Sequence, residues 1–126
     1  MTHQELSFEF CNFVYDLINS IQTKKIDFLD DTQAIFHRVS YQRLYYALYH
    51  KILHHDSELS SSTGSNKHQA IINKIRNNPK LYQLFSKLKA LRVWADYSTD
   101  DTPQQGLQSV KHLQNQVYKI IKVTRL

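Results

Sequence analysis

Arg43 and His50 are the two side chains of this sequence whose types and spacing suit chemistry. They stand seven residues apart on a predicted helix. Seven steps of about 100° return a side chain to nearly the same azimuth, roughly 10 Å further along the axis. The two side chains should therefore share one face, with Tyr46 and Ala47 between them. A permanent cation beside a group that titrates near neutrality suits the handling of a phosphodiester, although a purely structural role is equally open.

The elements that must position this pair are helices. Only two Gly and two Pro occur in 126 residues, which favours long uninterrupted helices in a single domain. Apolar residues recur at three- and four-residue intervals, and no strand-like alternation competes with them, so the predicted fold class is all-α with about five helices. The predicted helices cover about residues 5–22, 30–55, 67–76, 79–95 and 107–123.

Two helix starts carry capping signals. Asp30 or Asp31 is a credible N-cap for the second helix, and Asn78 followed by Pro79 predicts the start of the fourth. Between the second and third helices, the polar segment 56–65 is predicted to be a mobile loop. The side chains predicted to face inward from the first two helices are Leu6, Phe10, Phe13, Val14, Leu17, Ile18, Ile21, Ile35, Phe36, Val39, Leu44, Ala47, Leu48 and Ile52.

Charge is distributed unevenly along the chain, whose formal net charge is +5. Residues 1–58 carry five Lys or Arg against eight Asp or Glu, whereas residues 59–126 carry eleven against three. Such asymmetry is compatible with a positive field over one side of the fold, which would favour a polyanion or an acidic protein partner. A basic half without any nucleic-acid role is the alternative.

The segment from Gln42 to His50, with the sequence QRLYYALYH, resembles the arginine-any-tyrosine-tyrosine-alanine element of small bacterial and archaeal HEPN-domain proteins. Further along the chain, Lys67-His68 opens a helix, and LRVWADY at residues 91–97 resembles the arginine…alanine-aspartate-tyrosine segment of that group. The similarity runs from about residue 32 to 122. It implies a compact, up-and-down-like helical bundle, frequent homodimerisation, and association with RNA, nucleotides, toxin–antitoxin pairs or phage defence.

The resemblance also implies a catalytic motif, an arginine followed by histidine after four to six intervening residues, which Arg43 and His50 satisfy. It implies metal-independent RNA cleavage with two such motifs facing each other across a dimer. The histidine would move protons around the attacking 2′-hydroxyl and departing 5′-oxygen, and the arginine would stabilise the phosphorane. This chain departs from the pattern at Leu44, where a polar residue is usual. Near the later arginine, Asp96 stands close to the place of a histidine.

Several other side chains are candidates for RNA or phosphate contact: Tyr46 by stacking on bases, and Lys67, His68 and Arg92 by charge. The tyrosines near the arginine–histidine pair are equally suited to core or dimer packing. Arg92 and Asp96 are four residues apart and are expected to pair on their helix, with Tyr97 beside them in a structural or interfacial role.

No metal site or cofactor is expected. The group His50, His54, His55 and Asp56 lacks further ligands at convincing spacing, and no glycine-rich phosphate loop occurs. Cys11 is expected to be a small buried side chain. The chain shows no secretory signal and no apolar run of about eighteen residues, so a cytoplasmic location without membrane contact is expected.

These observations favour a HEPN-like component of a toxin–antitoxin or phage-defence system that binds or cleaves RNA as a homodimer. Its partners would be RNA or a nucleotide, with a cognate antitoxin as a further candidate. The alternative is a non-catalytic binding module that partners a nucleotidyltransferase or another effector.

Overall fold

The computed structural model describes residues 1–25, 30–56, 67–98 and 106–123, with side chains described from residue 33 onward in the second range. Over these residues the chain is all-helical, as predicted, and its five helices form a compact bundle. The helices are α1 (His3–Gln22), α2 (Asp30–His55), α3 (Lys67–Ile75), α4 (Pro79–Tyr97) and α5 (Leu107–Ile121).

Helix α2 is the centre of the bundle, because α1, α4 and α5 all pack against it. Its middle turns are buried on several sides: Leu44, Tyr45, Ala47 and Leu48 are completely inaccessible to solvent. A helix buried this widely must present apolar or paired polar groups around most of its circumference. Side chains near its middle are therefore held by neighbours on α1, α4 and α5.

Helix α1 begins at His3, two residues before the predicted start. The cause is a reciprocal cap at Thr2. The Thr2 hydroxyl accepts a hydrogen bond from the Glu5 amide at 3.1 Å, and the Glu5 carboxylate accepts one from the Thr2 amide at 3.4 Å. This cap places His3 in the first turn of a helix that packs against α2.

The start of α4 is as predicted, and its end is two residues later than predicted. The Asn78 side chain accepts a hydrogen bond from the Leu81 amide at 3.3 Å, and Pro79 occupies the first helical position. The helix continues through Tyr97, and the Ser98 amide bonds the Trp94 carbonyl at 2.9 Å. Helix α2 begins at Asp30, so neither Asp30 nor Asp31 is the residue before the helix, where the cap was predicted.

Two predicted core residues are exposed. Phe13 is 47% exposed and Ile35 is 63% exposed. In α1 the buried positions form a narrower stripe than predicted, which leaves Phe13 beside it under the guanidinium of Arg43 at 5.9 Å. In α2 the inward positions near Ile35 are the next two, Phe36 and His37. Cys11 is completely buried, as predicted.

The predicted loop lies outside the described residues, apart from Asp56. Within the described part of the chain, none of the helices is both long enough and apolar enough to cross a membrane.

Candidate functional site

Arg43, Ala47 and His50 lie along one face of α2, and this face packs against α1. The Ser7 hydroxyl donates a hydrogen bond to the Ala47 carbonyl at 2.7 Å, which fixes the register of the two helices. Phe10 of α1 contacts both ends of the row: its ring centre lies 5.6 Å from the Arg43 guanidinium carbon and 5.7 Å from the centre of the His50 ring. Helix α1 of the same chain therefore covers much of this face, which leaves Arg43 exposed and His50 half-buried.

His50 forms a pair with His3. Their Nδ1 atoms are 2.8 Å apart, so one nitrogen donates while the other accepts, and the rings stack with centres 5.0 Å apart. Burial, together with the nearby His3 and Lys67, lowers the pKa of His50 to about 4. The expectation that His50 titrates near neutrality is therefore wrong, because desolvation and neighbouring positive charge disfavour the imidazolium. At pH 7 His50 is a neutral proton acceptor.

A second imidazole, His68 of α3, lies on the tyrosines of α2. Its Nδ1 is hydrogen-bonded to the Tyr45 hydroxyl, and its ring stacks on the Tyr45 ring with centres 5.5 Å apart. Burial raises the pKa of Tyr45, so the hydroxyl keeps its proton. Burial, together with the charges of Arg92 and Lys89, lowers the pKa of His68. His68 is therefore neutral at pH 7.

Arg92 of α4 brings a permanent cation to the same tyrosines. Its guanidinium carbon lies 5.0 Å from the ring centre of Tyr45 and 5.9 Å from that of Tyr46. A terminal nitrogen bonds the Asp96 carboxylate at 2.9 Å, and the other oxygen of that carboxylate accepts from Gln42 at 2.6 Å. The Arg92 Nε is buried and has no hydrogen-bond partner among the described residues.

Tyr46 connects these groups. Its ring centre is 6.5 Å from that of His50, 6.4 Å from that of His68 and 5.6 Å from that of Tyr49. We call this arrangement, built on α2, α3 and α4, the imidazole cluster; its members are Tyr46, Tyr49, His50, His68 and Arg92.

Lys67 stands close enough to the imidazole cluster for its charge to lower the pKa values of His3 and His50. The five candidates Tyr46, His50, Lys67, His68 and Arg92 thus come together around α2. Arg43 stands apart from them, on the far side of Phe10 in the direction of Phe13. Tyr97, expected beside the ion pair, is exposed at the end of α4.

Sequence reasoning missed His3. The signal that could have found it is the Thr2…Glu5 spacing, which is a capping-box pattern and extends the helix to His3. Once His3 is helical, it shares a face with Phe10, seven residues later, and this face meets His50.

Among the described residues, no three His, Cys, Asp or Glu side chains are grouped as a metal site would require. Comparison of the chain with protein-family models, with curated proteins and with solved structures finds no match. The chemistry of the side chains is therefore the basis for a functional assignment.

Proposed function

We propose that this chain is a HEPN-like RNA-binding protein of a toxin–antitoxin or phage-defence system, acting as a homodimer, and that the imidazole cluster is its RNA contact. The observation that carries the proposal is the convergence of Arg92 and His68 on the tyrosines of α2, with the charge of Lys67 close by. Phosphate groups on RNA are bound by such cations, and exposed bases stack on tyrosine rings.

Arg92 suits a phosphate contact in particular. A guanidinium matches the geometry of phosphate oxygens and keeps its charge at any pH at which the protein is folded. Neutral His68 would add a hydrogen-bonding ring, next to the half-exposed rings of Tyr46 and Tyr49. RNA binding should therefore weaken steeply as salt is raised, as expected for contacts to a phosphodiester backbone.

Cleavage is the second part of the proposal. Neutral His50 would take the proton of a ribose 2′-hydroxyl, whose oxygen then attacks the adjacent phosphorus. The P–O5′ bond breaks, the 5′-oxygen takes a proton from water, and the products are a 2′,3′-cyclic phosphate and a 5′-hydroxyl end. Arg43 would stabilise the charge on the phosphorane, and the partner copy would supply a second arginine–histidine pair.

The test uses the full chain with single-stranded RNA in the presence of EDTA. Wild type should leave 2′,3′-cyclic phosphate ends, and His50→Ala should reduce the rate by at least about 100-fold. His54→Ala, an exposed histidine on the same helix, is the matched control and should leave the rate unchanged.

Arg92→Ala should weaken RNA binding roughly tenfold, whereas Arg76→Ala, at an exposed site, should have little effect. An Arg92→Ala variant that binds RNA as tightly as wild type would overturn the proposal.

One observation favours a second candidate, a non-catalytic binding module that partners a nucleotidyltransferase or other effector. His50 is engaged by His3 and Phe10 of its own chain, and its pKa of about 4 makes it a weak base at pH 7. RNA binding that requires Arg92, without any cleavage by the wild-type protein, would support this candidate.

A further inference from the structure

A groove runs between α1 and α5, lined by other residues than those of the imidazole cluster. Two hollows with volumes of about 530 Å³ and 370 Å³ share the lining residues Tyr15, Gln114 and Asn115, and therefore adjoin. Each volume lies within the range of small-ligand sites, roughly 300–1,000 Å³. Half of the remaining lining residues carry amide side chains, namely Asn12, Asn19, Gln22 and Gln108.

The groove contains one buried and positioned amide. Gln114 is only 7% exposed and lines both hollows. Its side-chain nitrogen donates to the sulfur of Cys11 at 3.6 Å, and the Cys11 thiol donates to the backbone carbonyl of Gln114 at 3.9 Å. Burial raises the pKa of Cys11 to about 11, so the sulfur stays a thiol and keeps both contacts. The orientation of this amide is therefore set before any ligand arrives.

Two tyrosine rings on facing helices are open to solvent beside this amide. Tyr15 of α1 is 56% exposed and Tyr118 of α5 is 39% exposed. The Lys122 ammonium lies 5.6 Å from the centre of the Tyr118 ring, and Lys111 and His112 line the larger hollow. Among the described residues that line the groove, none carries a carboxylate. An aromatic ring with a lysine ammonium beside it suits a nucleotide, because the base can stack on the ring while the phosphate pairs with the ammonium.

We infer that this groove binds a short segment of single-stranded RNA. Bases stack on Tyr15 and Tyr118, the amide side chains pair with the hydrogen-bonding edges of the bases, and Lys111 and Lys122 contact phosphates. Amide side chains also suit the backbone of an extended peptide, but the lysines and the lack of lining carboxylates favour a polyanion. The inference rests on the chemistry of the groove alone, so it stands or falls separately from the imidazole cluster.

The experiment is photo-crosslinking of the full chain to an octauridylate that contains 4-thiouridine, followed by mapping of the modified peptides. Crosslinks should fall on peptides that contain Tyr15 or Tyr118. The double variant Tyr15→Ala/Tyr118→Ala should weaken octauridylate binding by roughly fivefold or more, because each stacked base contributes separately. Lys111→Glu should weaken it as well. The matched controls are Tyr97→Ala and Lys80→Glu, both at exposed positions on α4, and both should bind as wild type does.

Two other results would overturn the inference. Crosslinks confined to α2, α3 and α4, with binding sensitive to Arg92→Ala and insensitive to the groove variants, would leave the imidazole cluster as the RNA site and remove the groove. Failure of octauridylate to bind at all would also contradict it. If only the groove variants lose binding and Arg92→Ala does not, the groove is the RNA site and the imidazole cluster is not.

Discussion

The imidazole cluster and the α1–α5 groove both contain tyrosine, histidine and a cation, yet the bundle uses them differently. In the imidazole cluster the rings pack on one another and on Tyr45, mostly edge to face. In the groove, Tyr15 and Tyr118 are exposed and stand beside amides. Aromatic side chains that pack together stabilise the fold as well as any site they form, whereas exposed ones have stacking surface left for a ligand. The two regions should therefore respond differently to substitution.

The largest expected difference is in stability. Tyr45 is completely buried and packs against Phe85, 5.0 Å away between ring centres, so Tyr45→Ala should lower the free energy of unfolding by about 3–5 kcal/mol. Tyr118→Ala, at the exposed end of the groove, should change it by less than about 1 kcal/mol. Urea denaturation of both variants measures the contrast. Similar losses for the two would show that the groove tyrosine supports the fold too.

A smaller effect is expected from pH, and it should belong to the imidazole cluster. Burial lowers the pKa values of His3, His50 and His68 in the folded state. In the unfolded chain, His50 takes up a proton at the ordinary histidine pKa of 6.5. In the folded protein it takes up this proton only near pH 4. The stability contributed by neutral His50 is therefore complete above pH 6.5 and is lost as the pH falls toward 4. After allowance for partial exposure, we expect a loss of ~1 kcal/mol.

Thermal melts between pH 7.5 and pH 4.5 check this sign. His50→Gln should melt with a shallower pH dependence than wild type, whereas His112→Gln, in the groove, should keep the wild-type slope. A protein that becomes more stable as the pH is lowered would contradict the packing described for His50.

The helices were predictable because their signals are local. Apolar spacing and the Asn78-Pro79 start placed α4 to within two residues at its far end, and the spacing of Arg92 and Asp96 indicated their contact. Local pattern could not show which side of α2 is covered by α1. For that reason the environment of His50 differs from the prediction, since its partner His3 is 47 residues away.

The groove could not be predicted for a related reason. Its amides come from α1 and α5, at opposite ends of the chain, and in sequence they look like ordinary exposed helix residues. Only the packing of the two helices brings Gln114 next to Cys11 and places Tyr15 and Asn115 along one concavity. Tertiary packing likewise decides the exposure of Phe13, which the apolar spacing assigned to the core.

The most direct test of RNA contact at the imidazole cluster is an NMR titration of protein labelled with ¹⁵N in its histidine rings. With octauridylate added at low salt, the ring signals of His50 and His68 should shift progressively and saturably, while the exposed His54 should not respond. A shift at His112 as well would report occupation of the groove. Saturable binding of the RNA that leaves both His50 and His68 unchanged would contradict the proposed site.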